Sequence, residues 1–221
     1  MPLFQLGLTI MPETGVSVGG SGHTGTRADN TILRDGQERP IMPASQVKGR
    51  LRHACEALVR AAGIPTCRPP NPEQVCPQDL SITNPPCLIC SLFGSPWHAS
   101  VLQFQDLVQE SLFEAIRPGI GVERRRGIVQ ERLLFLTETT APGSELFFYN
   151  AQAITGNLAA KEQALLLLAG LHSIRQWGGA KSRGLGWATL DCEARWNDQI
   201  IELDQDGKGE LAEWLKTAIA S

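Results

Sequence analysis

Residues 3–10 alternate apolar and polar and are rich in Leu, Ile and Phe, which predicts a half-buried strand. Pro12 bends the chain, and Val16–Val18 continue in extended form up to a glycine-rich stretch at 19–29. Asp35–Gly36 reads as a turn between two extended runs. A helix is predicted over 45–62, with Val47, Leu51, Ala54, Cys55 and Leu58 on one face and Pro43–Ala44–Ser45 as its entry, Ser45 being the cap. From Ala62 to Phe93 the periodicity vanishes among prolines and polar residues. A strand follows at 101–107. The segment 117–139 then reads as a long hairpin or protruding arm, and a further strand spans 145–154 and stops at Thr155–Gly156–Asn157. Leu165, Leu168, Leu171 and Ile174 mark a second helix over 160–176 that closes at Gly178–Gly179, before a strand over 187–194. The tail carries a turn at Asp206–Gly207 and a short helix from Gly209.

This order, βαββαβ, predicts an α+β fold of ferredoxin-like (RRM-like) type, an antiparallel sheet with two helices on one face. The 221 residues are read as one domain, 1–221, interrupted by an insertion at 63–93 and an arm at 116–139. An apolar fraction of 42% supports a real core. The N-terminus lacks a basic leader and no apolar run is long enough for a bilayer, so the expectation is a cytoplasmic chain with no membrane partner. A net charge of -3 means that any polyanion must be held by a local basic face.

Six cysteines in such a protein argue against a disulfide framework. Cys67, Cys76, Cys87 and Cys90 cluster with spacing C-x8-C-x10-C-x2-C inside the insertion. The closing CxxC is a zinc knuckle, and a structural Zn2+ would staple a loop that has no periodicity of its own. His53 and His98 are reserve ligands. Four thiolates leave no open coordination position, which excludes catalytic zinc. Cys55 and Cys192 sit in apolar segments and read as small buried side chains.

The start of helix 45–62 suits phosphate, because unpaired N–H groups and the positive end of the helix dipole meet there. Lys48, Arg50 and Arg52 come early in that helix, where cations oppose the dipole; they fit an anionic partner, or a solvated face. Asp29 stands upstream as a carboxylate without local duty, while Asp35 belongs to its turn. The glycines at 19–29 fail the Walker A pattern, because Thr26 and Arg27 stand where Lys and Ser/Thr are required; a mobile surface loop explains them equally well. His23 in that loop is an ordinary exposed histidine or an assistant to Asp29. On the arm, Arg124, Arg125 and Arg126 adjoin Ile128 and Val129, a pairing of phosphate-gripping and base-wedging residues or again a solvated face. GGAKSRGLGW (178–187) places four glycines around Lys181 and Arg183, like a backbone cradle for phosphate.

ADNTILRD followed by IMPASQVKGRLR resembles a motif of the repeated backbone subunit of type III CRISPR effector complexes, in the RAMP superfamily. CLICSLFG and the strand ending at Asp106, GVERRRGIVQERLLFLTETTAPGSELFF, and GGAKSRGLGWATL match further signatures in the expected order. The four-cysteine insertion is similar to zinc-bearing members. PASQ replaces the family's P-G-S-S, with Ala44 for glycine and Gln46 for the second serine.

The resemblance implies a subunit that stacks along guide CRISPR RNA with other backbone subunits and a large polymerase-like subunit. Its thumb would carry Arg124, Arg125, Arg126, Ile128 and Val129 and splay a guide–target pair. Lys48, Arg50, Arg52, Lys181 and Arg183 would hold guide backbone. Asp29 would cleave target RNA, aided by Mg2+ or another divalent cation, with the 2′-hydroxyl as nucleophile. A non-cleaving scaffold and a stand-alone guide-processing endoribonuclease are the competing expectations. A zinc-dependent DNA-binding regulator is disfavoured, since no recognition-helix pattern is present.

Overall fold

The computed structural model describes residues 3–19, 28–68, 74–76, 86–110, 114–141 and 146–220, with the side chains of 130–132 and 218–220 left aside. The glycine-rich stretch from Gly20 to Arg27, His23 included, lies outside the described residues. Elements run β1 (Leu3–Pro12), β2 (Ile41–Met42), α1 (Ala44–Ala61), α2 (Leu88–Phe93), β3 (Leu102–Phe104), β4 (Leu107–Val108), β5 (Glu114–Glu123) and β6 (Ile128–Thr140). They continue with β7 (Phe148–Asn157), α3 (Lys161–Ser173), β8 (Ala188–Trp196), β9 (Gln199–Ile201) and α4 (Gln205–Ala220). The chain is an α+β protein with antiparallel sheets.

The main sheet has the order β2-β4-β7-β1-β8-β9, with β3 also on β7. β1 sits at its centre, between β7 and β8. Alternation explains the placement: Phe4, Leu6, Leu8 and Ile10 are fully buried on one face, while Gln5, Gly7 and Thr9 line a shallow open cavity of about 270 Å³ on the other. Leu51, Cys55, Leu165, Leu168 and Leu171, from α1 and α3, join β1 in one core. Gly170 lets the two helices approach, since a Cβ there would lie 2.7 Å from the Cys55 sulfur.

Several boundaries differ from the sequence reading, each for a local reason. Thr155–Gly156–Asn157 does not end β7 but pairs with β1 and β3. Gly156 is there because a Cβ would come within 2.4 Å of the Val101 carbonyl oxygen, a close approach and not a turn. α3 stops at Ile174, well before the glycines, because Gln176 leaves the helix to bridge Trp187. The strand expected at 101–107 is broken at Gln105–Asp106. Asn197 and Asp198, both at positive φ, make the tight β8–β9 hairpin, and α4 begins at Gln205 with the Asp204 carboxylate accepting from Gly207 N–H at 2.7 Å.

The arm is a two-stranded sheet of its own, β5 against β6. Its far half exposes Ile120, Val122, Ile128, Val129 and Leu134, whereas Thr137–Thr140 at its base are buried. Thr140 N–H donates to the Val16 carbonyl (2.9 Å), so Val16–Val18 serve as mooring for the arm and are not part of β1.

Candidate functional site

Asp29 lies against the base of the arm. Its N–H and that of Asn30 donate to the Leu136 carbonyl, at 2.9 and 3.1 Å, and Leu136 N–H donates back to Asp29 Oδ2 at 2.7 Å. Asn30 bridges Thr137 in parallel, and Glu138 N–H closes the ladder on the Asn30 carbonyl. Asp29 therefore has a local duty, contrary to the sequence reading: one carboxylate oxygen holds β6. The residue is still exposed to solvent. Asp35, by contrast, is spent in its turn, accepting from the N–H groups of Gln37 and Arg39 and from the Arg39 guanidinium. Burial pushes its carboxyl upward, and those hydrogen bonds outweigh it, leaving it below the ordinary range.

The residue preceding Leu136 on β6 collects the second component. Phe135 lies over Gly119 of β5, where any Cβ would clash with the ring at 2.3 Å, and the Arg183 guanidinium carbon sits 5.5 Å from the ring centroid. Arg183 and Lys181 share one 3-10 turn, Lys181–Arg183. Lys181 is half-buried, and burial followed by the nearby Arg50 charge lowers its pKa. Arg50 donates to the Gln176 carbonyl at 3.0 Å, and its Nε is buried without a partner among the described residues. Asp29, Arg183, Lys181 and Arg50 thus connect through β6 and the loop after α3. Lys48 is set apart, over the Phe104 ring at 5.8 Å, with its pKa lowered by burial and then by Arg52.

Arg52 departs from the phosphate-binding expectation. Its Nε donates to Glu56 (3.0 Å), Nη1 to the Gly94 carbonyl (2.8 Å) and Nη2 to the Cys90 sulfur (3.4 Å), so every guanidinium nitrogen already has a partner within the chain. The start of α1 is likewise engaged. Pro43 occupies the cap position, Ser45 makes no capping bond, and Asp106 Oδ1 accepts from Ala44 N–H at 2.7 Å. A carboxylate sits where a phosphate was expected.

Two glycines of 178–187 also have packing reasons. Gly178, Gly184 and Gly186 adopt positive φ. A Cβ on Gly186 would lie 1.9 Å from the Trp177 carbonyl oxygen, and one on Gly178 would lie 2.7 Å from that of Ser17. Gly178 lets the loop pack on the mooring segment and Gly186 lets it close on Trp177, so these two glycines have packing reasons apart from any phosphate cradle.

Arg124, Arg125 and Arg126 form the exposed tip of the arm with Gly127 at positive φ; Arg126 is 4.0 Å from Glu123. Ile128 and Val129 beside them are more than half exposed. Arg34 joins both arm strands to the body, contacting Glu114 of β5 and Glu138 of β6. Burial raises the Glu138 carboxyl, but Ile32 N–H, Glu114 and Arg34 more than offset this and hold it low. Phe135, Arg34 and Asp106 escaped the sequence reading as site-forming residues. The signal for Phe135 was its place opposite Gly119 in a hairpin, where a ring covers a missing side chain.

The sulfur atoms of Cys67, Cys76, Cys87 and Cys90 all lie within 4.8 Å of one another. A tetrahedral zinc with bonds near 2.3 Å requires sulfur–sulfur edges of about 3.8 Å. Cys87–Cys67 is 3.8 Å and Cys67–Cys90 is 3.2 Å, so small shifts would admit the ion. Cys87 caps α2 and Cys90 lies within it, which fixes the CxxC pair in a knuckle on the core. The four cysteines are therefore close enough to bind a metal such as zinc, and His53 and His98 are not part of the group. Cys55 is buried, and burial pushes its thiol well above the usual range, as expected of an inert small side chain. Among the described residues no helix is long and apolar enough to cross a membrane.

Comparison with curated proteins finds no match at a significant level. A family model described as the RAMP superfamily matches residues 17–189, a span that includes Asp29, α1, the cysteines, the arm and the loop carrying Lys181 and Arg183. That match covers well over half of the chain, which belongs to the RAMP superfamily, and membership supports a CRISPR-associated RNA-binding role in a family that includes endoribonucleases.

Proposed function

We propose that this chain is a target-cleaving backbone subunit of a type III CRISPR ribonucleoprotein, with Asp29 as its catalytic residue. The observation that carries the reading is the junction on β6, where adjacent residues bind the exposed acid and the stacked Arg183 at the root of a projecting arm. Guide RNA is held by Arg50, Lys181 and Arg183, with Lys48 alongside. The arm crosses the guide–target duplex, its tip arginines on phosphates and Ile128 between bases. Other backbone subunits and a polymerase-like subunit complete the particle.

Splaying one nucleotide frees its sugar from A-form geometry, so the 2′-oxygen can align with the phosphorus–O5′ bond. Asp29 takes the 2′-hydroxyl proton, the 2′-oxygen bonds to phosphorus, and the O5′ bond breaks as water protonates the leaving oxygen. The products are a 2′,3′-cyclic phosphate and a 5′-hydroxyl. Oδ2 stays bonded to Leu136 N–H, which aims the other oxygen and keeps the group from rotating. A divalent cation bound beside Asp29 would polarise the scissile phosphate. Among the described residues no group of three metal-ligating side chains includes Asp29, so such an ion would draw most of its ligands from water and RNA phosphates.

The test uses the assembled complex with a complementary target. Asp29→Asn keeps an oxygen for Leu136 N–H and removes the base, so cleavage at this subunit's site should fall by about 100-fold or more while guide binding persists. Unchanged cleavage by Asp29→Asn would leave the scaffold reading standing. Cleavage of repeat RNA by the lone subunit would favour guide processing instead.

A further inference from the structure

One face of α1 is turned toward the cysteines and away from the RNA-facing loops. Arg52, Glu56 and Arg60 succeed one another at four-residue spacing and form a single stripe. Glu56 is 5% exposed and bridges the two cations, at 3.0 Å to Arg52 and 3.6 Å to Arg60. Arg52 reaches Cys90 Sγ and the Gly94 carbonyl, gripping the knuckle helix. Arg60 donates to Thr66 Oγ1 at 2.7 Å and to the Cys67 carbonyl at 3.0 Å, gripping the opposite wall. Each arginine thus fastens one side of the sulfur cluster, and one buried carboxylate aligns both.

We propose that Arg52, Glu56 and Arg60 are the positioning shell of the four-cysteine metal site, with Arg52 the N–H donor to the Cys90 thiolate. The proposal rests on the reading of those cysteines as a metal site. A divalent ion with four thiolates retains two negative charges, and Cys90 is buried, where a guanidinium offsets that charge more strongly than water-exposed cations could. The forked shape matters. Three nitrogens serve three acceptors at once, which a lysine ammonium on the same stem cannot reproduce. The contacts also explain why two cations and an acid interrupt a helix whose other face is core.

The full-length protein is purified with zinc, its zinc content is measured by mass spectrometry, and zinc affinity is obtained by competition with a chromophoric chelator. Arg52→Ala should lower affinity about 10- to 100-fold, and Arg52→Lys should lose most of the same amount. In a Cys90→Ser background, Arg52→Ala should cost little more, because the donor has lost its sulfur. Lys216→Ala, on the exposed face of α4, is the control. Affinity of Arg52→Lys within twofold of the parent overturns the proposal, and so does an undiminished Arg52→Ala effect in Cys90→Ser. A parent chain that binds no zinc overturns the metal reading as well, and its stoichiometry separates the two failures.

Discussion

Asp29 has a structural bond to Leu136 N–H beside the chemistry proposed for it. Removing it with alanine strips a hydrogen bond from Leu136, so Asp29→Ala mixes loosening of the arm with loss of a base, whereas asparagine separates them. Arg34 has the purer structural role. Arg34→Met leaves two carboxylates facing each other at the root of the arm, and should destabilise the protein by about 2 kcal/mol in urea denaturation. The sign of its pH dependence follows from Glu138, whose carboxyl is held below its ordinary 4.5 in the folded chain. Stability from that contact is fully present above pH about 4.5 and is lost as pH falls through the lower folded value. The parent should therefore lose stability with acidification more steeply than Arg34→Met, a comparison that parallel denaturation series would settle.

At the scale of elements, α1 divides its cations. Its Arg50 side faces the loop after α3 and its Arg52 side faces the cysteines. Salt titrations of guide-RNA binding read this division: Arg183→Ala should reduce the slope of log affinity against log salt by about 1, and Arg52→Ala should leave the slope as in the parent. The loop after α3 tests a different point. Gly186→Ala forces a Cβ into the Trp177 carbonyl at positive φ and should cost about 1–3 kcal/mol or abolish folding, whereas Gly184→Ala meets open space and carries only backbone strain. Thermal melts of the two variants distinguish a packed loop from a flexible cradle.

For the molecule as a whole, what could be read in advance followed from what is periodic. β1 alternates strictly because one face is covered by two helices, so its place in the core was legible. The arm was legible from its arginines and glycines, and the cysteine group from its spacing. Asp106 was not, because its partner, the Ala44 N–H, lies 62 positions earlier and neither residue signals the other. The same holds for Phe135 and Arg183, which lie 48 positions apart and meet where the loop is hydrogen-bonded to Ser17. Long-range pairs of this sort set which cations remain available, and no local pattern records them.

The outer strand of the arm carries Pro118, two glycines and an irregularity between Ile120 and Val122 along an edge with no neighbour among the described residues. Proline offers no amide hydrogen there, and the kink spoils the flat template that a foreign strand would need. The outer edge of that finger is therefore a poor template for strand addition, even though Ile120 and Val122 stand exposed along it.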